Sequence, residues 1–193
     1  MVGTDRQDRQ DRHNEKRGRG MLQERMEAAI NEQIKWELYS AYLYKSMEAY
    51  FEAENMVGMA AWMRAQTKEE LCHAMIMFSH VIERGGRIKL AAIDGPETEW
   101  ESALAVYQHA LEHEQQVTAR INALVDTAIE LKDHATTQFL QWFVTEQVEE
   151  EAAASAVVGK LKLMQGAPGG LYQLDQELGT RVFTMPTPAV GIV

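Results

Sequence analysis

The chain has 193 residues, of which 46% are hydrophobic and 25% are charged, a composition typical of one soluble globular domain. Its formal net charge of -10 argues against nucleic acid as a partner, and no apolar run approaches the roughly 20 residues that span a bilayer. A single cysteine, Cys72, excludes an intrachain disulfide framework and favours a reducing, cytoplasmic location.

The first twenty residues differ in composition from the rest of the chain. They contain the short-period run DRQDRQDR, Asp5 to Arg12, and almost no apolar side chains. Because nothing there offsets the entropy of ordering the backbone, we predict a disordered N-terminal extension over residues 1–20. This segment carries six Lys/Arg and four Asp/Glu, so the remaining body has a net charge of -12 and should attract cations.

The pattern from residue 21 onward predicts helices. Spacing of apolar residues indicates four long helices, the run QGAPGG at Gln165–Gly170 breaks the fourth, and a short fifth helix follows. The remaining residues, 181–193, are expected to form a flexible C-terminal tail. The predicted bounds of the five helices are about 22–50, 56–84, 102–130, 134–164 and 171–179.

The lengths of the connections predict the topology. About five residues join the first two helices and about three join the third and fourth, so each pair should form an antiparallel hairpin. About seventeen residues, GGRIKLAAIDGPETEWE, join the second helix to the third. Extended, they reach ~55 Å, whereas a helix of about 28 residues is ~42 Å long. This connection can therefore run the length of the bundle and leave the third helix parallel to the second.

Polar side chains interrupt the apolar stripe of every long helix at its middle. Counted from the predicted turn near residue 53, Glu37 lies about 16 residues before it and Glu70 about 17 after it. Counted from the turn near residue 132, Glu114 lies about 18 residues before it, and Gln147 and Glu150 lie about 15 and 18 after it. All four helices should therefore place polar groups at one height inside the bundle.

A cluster of buried carboxylates needs either protons or a multivalent cation, because each isolated buried charge costs several kcal/mol. Oxygen ligands with one imidazole, here His73, suit iron and also accept manganese or zinc. The alternative is a set of unrelated hydrogen-bonded polar residues, which the agreement in height across four helices disfavours. The spacing also repeats, since Glu37 to Glu70 and Glu114 to Gln147 are both 33 residues.

Four segments together resemble the helix motifs of bacterial non-haem ferritins in order and spacing, over about residues 21–180. They are NEQIKWELYSAYLY (31–44), KEELCH (68–73), HEQQVT (113–118) and FLQWFVTEQVEEE (139–151). The short, long, short order of connections is also that of ferritin-like bundles. The predicted fold is an all-α, ferritin-like four-helix bundle with a long crossover between the second and third helices and a short fifth C-terminal helix.

The resemblance implies three iron positions in each subunit. Glu37, Glu70 and His73 would hold the first iron, and Glu70 would bridge to a second held by Glu114, with Gln147 and Glu150 facing the pair. The third position would comprise Glu69, Glu146, Glu149 and Glu150. Tyr44 corresponds to the family's tyrosine beside the di-iron pair, which can hydrogen-bond a ligand or supply an electron.

The resemblance further implies oxidation of Fe(II) by O2 or H2O2 and storage of ferric oxyhydroxide in a hollow shell of twenty-four subunits. Haem is not expected, because the haem-binding methionine of bacterioferritins would fall at Leu71 and a second E-x-x-H motif is lacking. A bacterioferritin-like protein, another di-iron carboxylate oxidoreductase without mineral storage, and a non-catalytic acidic scaffold are the alternatives. Trp142 and Phe143 are expected to pack in the core or an interface, and four histidines are expected at the surface: His80, His109, His113 and His134.

Overall fold

The computed structural model describes residues 21–185, and the predicted extension over 1–20 and the end of the predicted tail lie outside this range. Five helices and no strand occur between residues 21 and 185. No helix in this part of the chain is long and apolar enough to cross a membrane. The helices are α1 (Glu24–Ala53), α2 (Val57–Glu83), α3 (Ala103–Glu130), α4 (His134–Leu163) and α5 (Gly170–Leu178).

The predicted all-α fold is confirmed, and every helix end lies within three residues of its predicted position. Local capping explains where α3 and α4 begin. The Ser102 hydroxyl oxygen accepts a hydrogen bond from the Ala105 amide, and the Asp133 carboxylate accepts one from the Thr136 amide. Asp133 also forms an ion pair with Arg84 at 2.9 Å, which ties the start of α4 to the end of α2.

The connection between α2 and α3, residues 84–102, runs along α1 as its length predicted. Asn31 donates a hydrogen bond to the Arg87 carbonyl at 2.9 Å and accepts one from the Lys89 amide at 2.7 Å. Farther along α1, the Ser46 hydroxyl donates to the Glu97 carbonyl at 2.6 Å. The connection therefore returns to the end of the bundle where α2 began, and α3 runs parallel to α2.

The core consists of two apolar clusters separated by a polar layer. One cluster contains Leu43, Met63, Tyr107, Val157 and Leu174, with other apolar residues from the α5 end of the bundle. The other contains residues from the opposite end, among them Ile30, Ile34, Met77, Ile121 and Phe143. The layer between them includes these buried polar residues: Glu37, Gln66, Glu70, His73, Glu114, Gln147 and Glu150.

The short helix α5 closes the end of the bundle against the start of α2. The Met59 amide donates a hydrogen bond to the Asp175 carboxylate at 2.8 Å, and Leu174 is fully buried. Gly58 permits this close approach, because a Cβ atom there would lie 1.7 Å from the Asp175 carbonyl oxygen. This docking fixes the position from which residues 179–185 leave the helix.

Candidate metal centre

Glu37, Glu70 and His73 form a compact group at the middle of α1 and α2. Their possible ligand atoms all lie within 4.8 Å of one another, and no side chain of the three is more than 2% exposed. His73 Nδ1 is 3.9 Å from Glu37 Oε2 and 3.6 Å from Glu70 Oε2. Helical spacing explains the pair on α2, since residues 70 and 73 lie on one face.

The two carboxylate oxygens that face His73 Nδ1 lack hydrogen-bond partners. Glu37 Oε2 and Glu70 Oε2 are buried without a partner, and so is Nε2 of His73. The other oxygen of Glu37 accepts a hydrogen bond from Gln33 Nε2 at 2.8 Å, which orients the carboxylate. Buried polar atoms are nearly always paired, so these atoms suit a ligand. Two carboxylates and one imidazole form a donor set that iron accepts.

Glu114 lies beside this group and has partners on both of its oxygens. The Tyr44 hydroxyl donates to Oε1, and Gln147 Nε2 donates to Oε2 at 3.1 Å. Tyr44 and Glu114 are fully buried, and Gln147 is 4% exposed. The structure therefore brings these three predicted residues together, with two donors already turned toward the Glu114 carboxylate.

Burial of several carboxylates in one layer raises their pKa values. Burial and the charge of Glu150 raise the pKa of Glu114 to about 8, although hydrogen bonds from Tyr44 and Gln147 lower it. Burial, with the charges of Glu114 and Glu37, raises the pKa of Glu70 well above its ordinary value. The layer therefore holds protons at neutral pH that a bound cation would displace.

Glu150 is also in the buried layer, and it accepts a hydrogen bond from Gln66, a residue that was not predicted as part of the site. Gln66 Nε2 donates to Glu150 Oε2 at 2.8 Å, and Gln66 Oε1 is buried without a partner. Gln66 lies one helical turn before Glu70, on the buried stripe of α2 that also contains Met63 and Met77. Its polar character on that stripe was the available signal. Gln33 gave no such signal, because its position one helical turn before Glu37 does not by itself mark it as a partner.

Of the residues predicted for a third position, Glu150 is in the buried layer, and Glu69 and Glu146 are partly buried beside it. Glu69 is partly buried and pairs with Arg181 at 2.5 Å, and Glu146 Oε1 lies 3.9 Å from His73 Nε2. Glu149, in contrast, is exposed. Burial raises the pKa of Glu69 to about 7, although the charge of Arg181 lowers it. Arg181 lies within the predicted tail, and no local sequence signal linked it to Glu69.

Aromatic rings enclose His73 on the side of α4. The ring centroid of Trp142 is 5.6 Å from that of His73, and the Phe143 centroid is 5.9 Å away, both in edge-to-face arrangements. Phe143 is 1% exposed and belongs to an apolar cluster, as packing predicted, and Trp142 packs against the same cluster. These rings restrict the orientation of the imidazole.

Two histidines expected at the surface are instead buried, so that prediction is wrong for His80 and His113. His80 hydrogen-bonds Thr136 at 3.0 Å and stacks on Phe139 with a centroid distance of 3.8 Å. His113 hydrogen-bonds Ser40 at 2.7 Å. Each has a hydroxyl partner from a different helix, which offsets the cost of burying the ring. His109 is half-buried and His134 is exposed.

Comparison with known proteins agrees with this architecture. A family model described as a ferritin-like domain matches residues 27–164. The chain is 45% identical over 161 residues to a bacterial non-heme ferritin of Bacteroides fragilis, covering 83% of this chain and all of that protein. It is 36% identical to a bacterial non-heme ferritin of Escherichia coli, covering 83% and 97% of the two chains. The crystal structure of an open pore ferritin from Archaeoglobus fulgidus has 52% identity and a TM-score of 0.83, covering 83% and 99%.

Proposed function

Because the chain belongs to the ferritin-like domain family, we propose that it is an iron-storage ferritin that oxidises Fe(II) at a di-iron centre within each subunit. The observation that carries this proposal is the buried group of Glu37, Glu70 and His73. Its inward-facing carboxylate oxygens lack protein partners and lie 3.6 and 3.9 Å from one imidazole nitrogen. A buried arrangement of this kind is costly unless protons or a cation occupy it.

Iron is the substrate in this proposal, and each residue has a defined task. Glu37, Glu70 and His73 bind the first Fe(II), with Gln33 holding the Glu37 carboxylate in place. Glu114 binds a second Fe(II) with Glu70 shared between the two. Gln147 is neutral where a fourth carboxylate would add charge, so it makes the second position weaker than the first. Glu150, oriented by Gln66, faces the pair.

Oxidation requires both irons to be close to one oxidant molecule. Each Fe(II) gives up one electron, and O2 or H2O2 accepts the two electrons together. Carboxylate ligands favour the higher charge of Fe(III) and so make this step easier. Tyr44, which hydrogen-bonds Glu114, is placed to orient that ligand or to supply a further electron.

Storage follows if the oxidised iron leaves the centre for an enclosed space. Glu69, Glu146, Glu149 and Glu150 form the third position on this route. We propose that the subunits assemble into a hollow shell, of twenty-four copies as the family resemblance implies, in a cytoplasmic setting. The acidic body of the chain, with a formal net charge of -12 outside residues 1–20, would attract Fe(II) to such a shell.

The test combines oxidation with particle size. Fe(II) is added anaerobically to the purified protein, air is admitted, and ferric absorbance is followed before gel filtration. We expect rapid oxidation and elution of iron with a particle of several hundred kDa. Slow oxidation at the rate of free Fe(II) would refute the enzymatic part. A monomer or dimer that retains no iron would refute the storage part and favour a di-iron oxidoreductase.

Glu70→Gln is the informative variant because it removes the shared ligand while nearly preserving the shape of the side chain. Glu112→Gln is its matched control, since Glu112 lies exposed on α3. We expect Glu70→Gln to oxidise Fe(II) at least tenfold more slowly, and Glu112→Gln to match the unsubstituted protein. Equal rates in all three proteins would show that oxidation does not depend on this centre.

A further inference from the structure

Arg181 connects the segment after α5 to the edge of the metal centre. Its Nη2 donates a hydrogen bond to Glu69 Oε2 at 2.5 Å, across 112 residues of sequence. Its guanidinium also lies over the ring of Trp62, at 4.6 Å from the centroid. Two residues later, the ring of Phe183 packs 5.6 Å from the Lys68 ammonium. The segment following α5 therefore lies along α2 beside the predicted third position.

The proposed iron positions differ in how their ligands are engaged by the protein. At the first position, Glu37 Oε2 and Glu70 Oε2 have no partner. At the third, Glu69 is paired with Arg181 and Glu150 accepts a hydrogen bond from Gln66. The first position is thus open to a cation, whereas the third already contains a positive charge supplied by the protein.

The fold holds Arg181 in this place, but leaves its pairing incomplete. An arginine stays protonated at any pH at which the protein is folded, so the positive charge beside Glu69 is permanent. Docking of α5 through Asp175 fixes the start of the segment, and the Trp62 ring supports the guanidinium from one side. However, Nη1 of Arg181 is buried without a hydrogen-bond partner. A bidentate pair would be harder to separate than this single contact.

We propose that Arg181 is a built-in counter-cation of Glu69, which iron must displace before the third position fills. This inference rests on the proposed function and adds an order to it. Fe(II) enters at Glu37, Glu70 and His73 first, and reaches Glu69 only when its attraction exceeds that of the guanidinium. Arg181 thereby delays occupation of the outer carboxylates until the inner positions are filled.

The test measures iron binding rather than oxidation. Crystals of the unsubstituted protein and of Arg181→Gln are soaked anaerobically in a series of Fe(II) concentrations, and anomalous peaks are measured at each position. We expect the peak beside Glu69 to appear at about tenfold lower Fe(II) in Arg181→Gln, the change typical of losing one charged hydrogen bond. The peak beside Glu37 and His73 should appear at an unchanged concentration.

Two variants separate loss of charge from loss of packing. Arg181→Met keeps an apolar stem against Trp62 and should lower the Fe(II) concentration at which the peak beside Glu69 appears, as Arg181→Gln does. It replaces Arg181→Gln in the test if the glutamine variant assembles poorly. Arg181→Lys retains the positive charge and should restore the original order. Arg25→Gln is the matched control, because Arg25 pairs with Glu130 at 2.7 Å and both side chains are about 60% exposed.

The outcomes distinguish this inference from the proposed function. If the third peak appears at the same Fe(II) concentration with and without Arg181, while the first position binds normally, the counter-cation role is overturned and the proposed function stands. If Arg25→Gln lowers that concentration equally, the effect is one of overall charge and the role is again overturned. If no variant binds iron beside Glu37 and His73, both proposals fail.

Discussion

Replacing Glu114 with glutamine should reduce the pH dependence of the stability of the iron-free protein. Burial raises the pKa of Glu114 from an ordinary value of 4.5 to about 8. Between these values the folded protein keeps a proton on the carboxyl group that the unfolded chain has released. Because the folded state binds more protons, its free energy of unfolding falls as the pH rises toward 8.

Two buried histidines act in the opposite direction at lower pH. Burial lowers the pKa values of His80 and His113 from 6.5 to about 4. Between pH 4 and 6.5 the unfolded chain therefore binds more protons at these sites, and the free energy of unfolding rises with pH. Both histidines are present in Glu114→Gln and in the unsubstituted protein, so their contribution cancels when the two proteins are compared over the range from pH 6.5 to 8.

The expected magnitude follows from the width of this range. Each pH unit over which one proton is retained corresponds to about 1.4 kcal/mol, so 1.5 units give about 2 kcal/mol. The free energy of unfolding should fall by that amount more in the unsubstituted protein than in Glu114→Gln. A glutamine side chain keeps an oxygen that accepts from Tyr44, and rotation of the Gln147 amide can supply the other partner.

Denaturant unfolding of chelator-treated protein, followed by circular dichroism at four pH values from 6.5 to 8, measures this difference. All samples need one protein concentration, because assembly contributes to apparent stability. Glu112→Gln, an exposed change on the same helix, should keep the slope of the unsubstituted protein. If Glu114→Gln loses stability as steeply as the unsubstituted protein, the raised pKa of Glu114 is refuted.

Two further substitutions test the second iron position and the docking of α5. Gln147→Glu should tighten Fe(II) binding at the second position about tenfold in an anaerobic titration and slow turnover, because it adds a charge 3.1 Å from Glu114. Gln141→Glu, an exposed change on the same helix, is the control. An unchanged Fe(II) affinity in Gln147→Glu would contradict the weakening role of Gln147. Gly58→Ala should lower the free energy of unfolding by several kcal/mol, because its Cβ would lie 1.7 Å from a backbone oxygen. Gly159→Ala, with open space around its Cβ, should raise that free energy by about 0.5–1 kcal/mol, and equal effects in denaturant unfolding would refute the close approach.

The helices and their pairing were predictable from sequence because the relevant signals are local. Apolar spacing predicts a helix without any knowledge of what packs against it, and the QGAPGG run ends a helix without any distant contact. The length of the connection after α2 limited the topology, and the contacts of Asn31 and Ser46 with that connection confirm the result. Neither inference required knowledge of side-chain packing.

The composition of the buried polar layer was predictable for a related reason. A constant rise per residue fixes the height of a side chain along its helix. Counting from the turns therefore brought Glu37, Glu70, Glu114 and Gln147 to one level, and the structure has them buried there. The same counting gave no information about Gln33 as a partner, since two helical residues one turn apart interact only when their rotamers agree.

Periodicity and distance along the chain were enough to predict five helices, their order and the level at which carboxylates interrupt the core. The tertiary fold, in contrast, sets which of these carboxylates have partners. It leaves Glu37 Oε2 and Glu70 Oε2 unpaired, buries His113 against Ser40, and brings Arg181 to Glu69. Such pairings depend on how closely separate helices and the segment after α5 approach one another, and no local pattern records that distance.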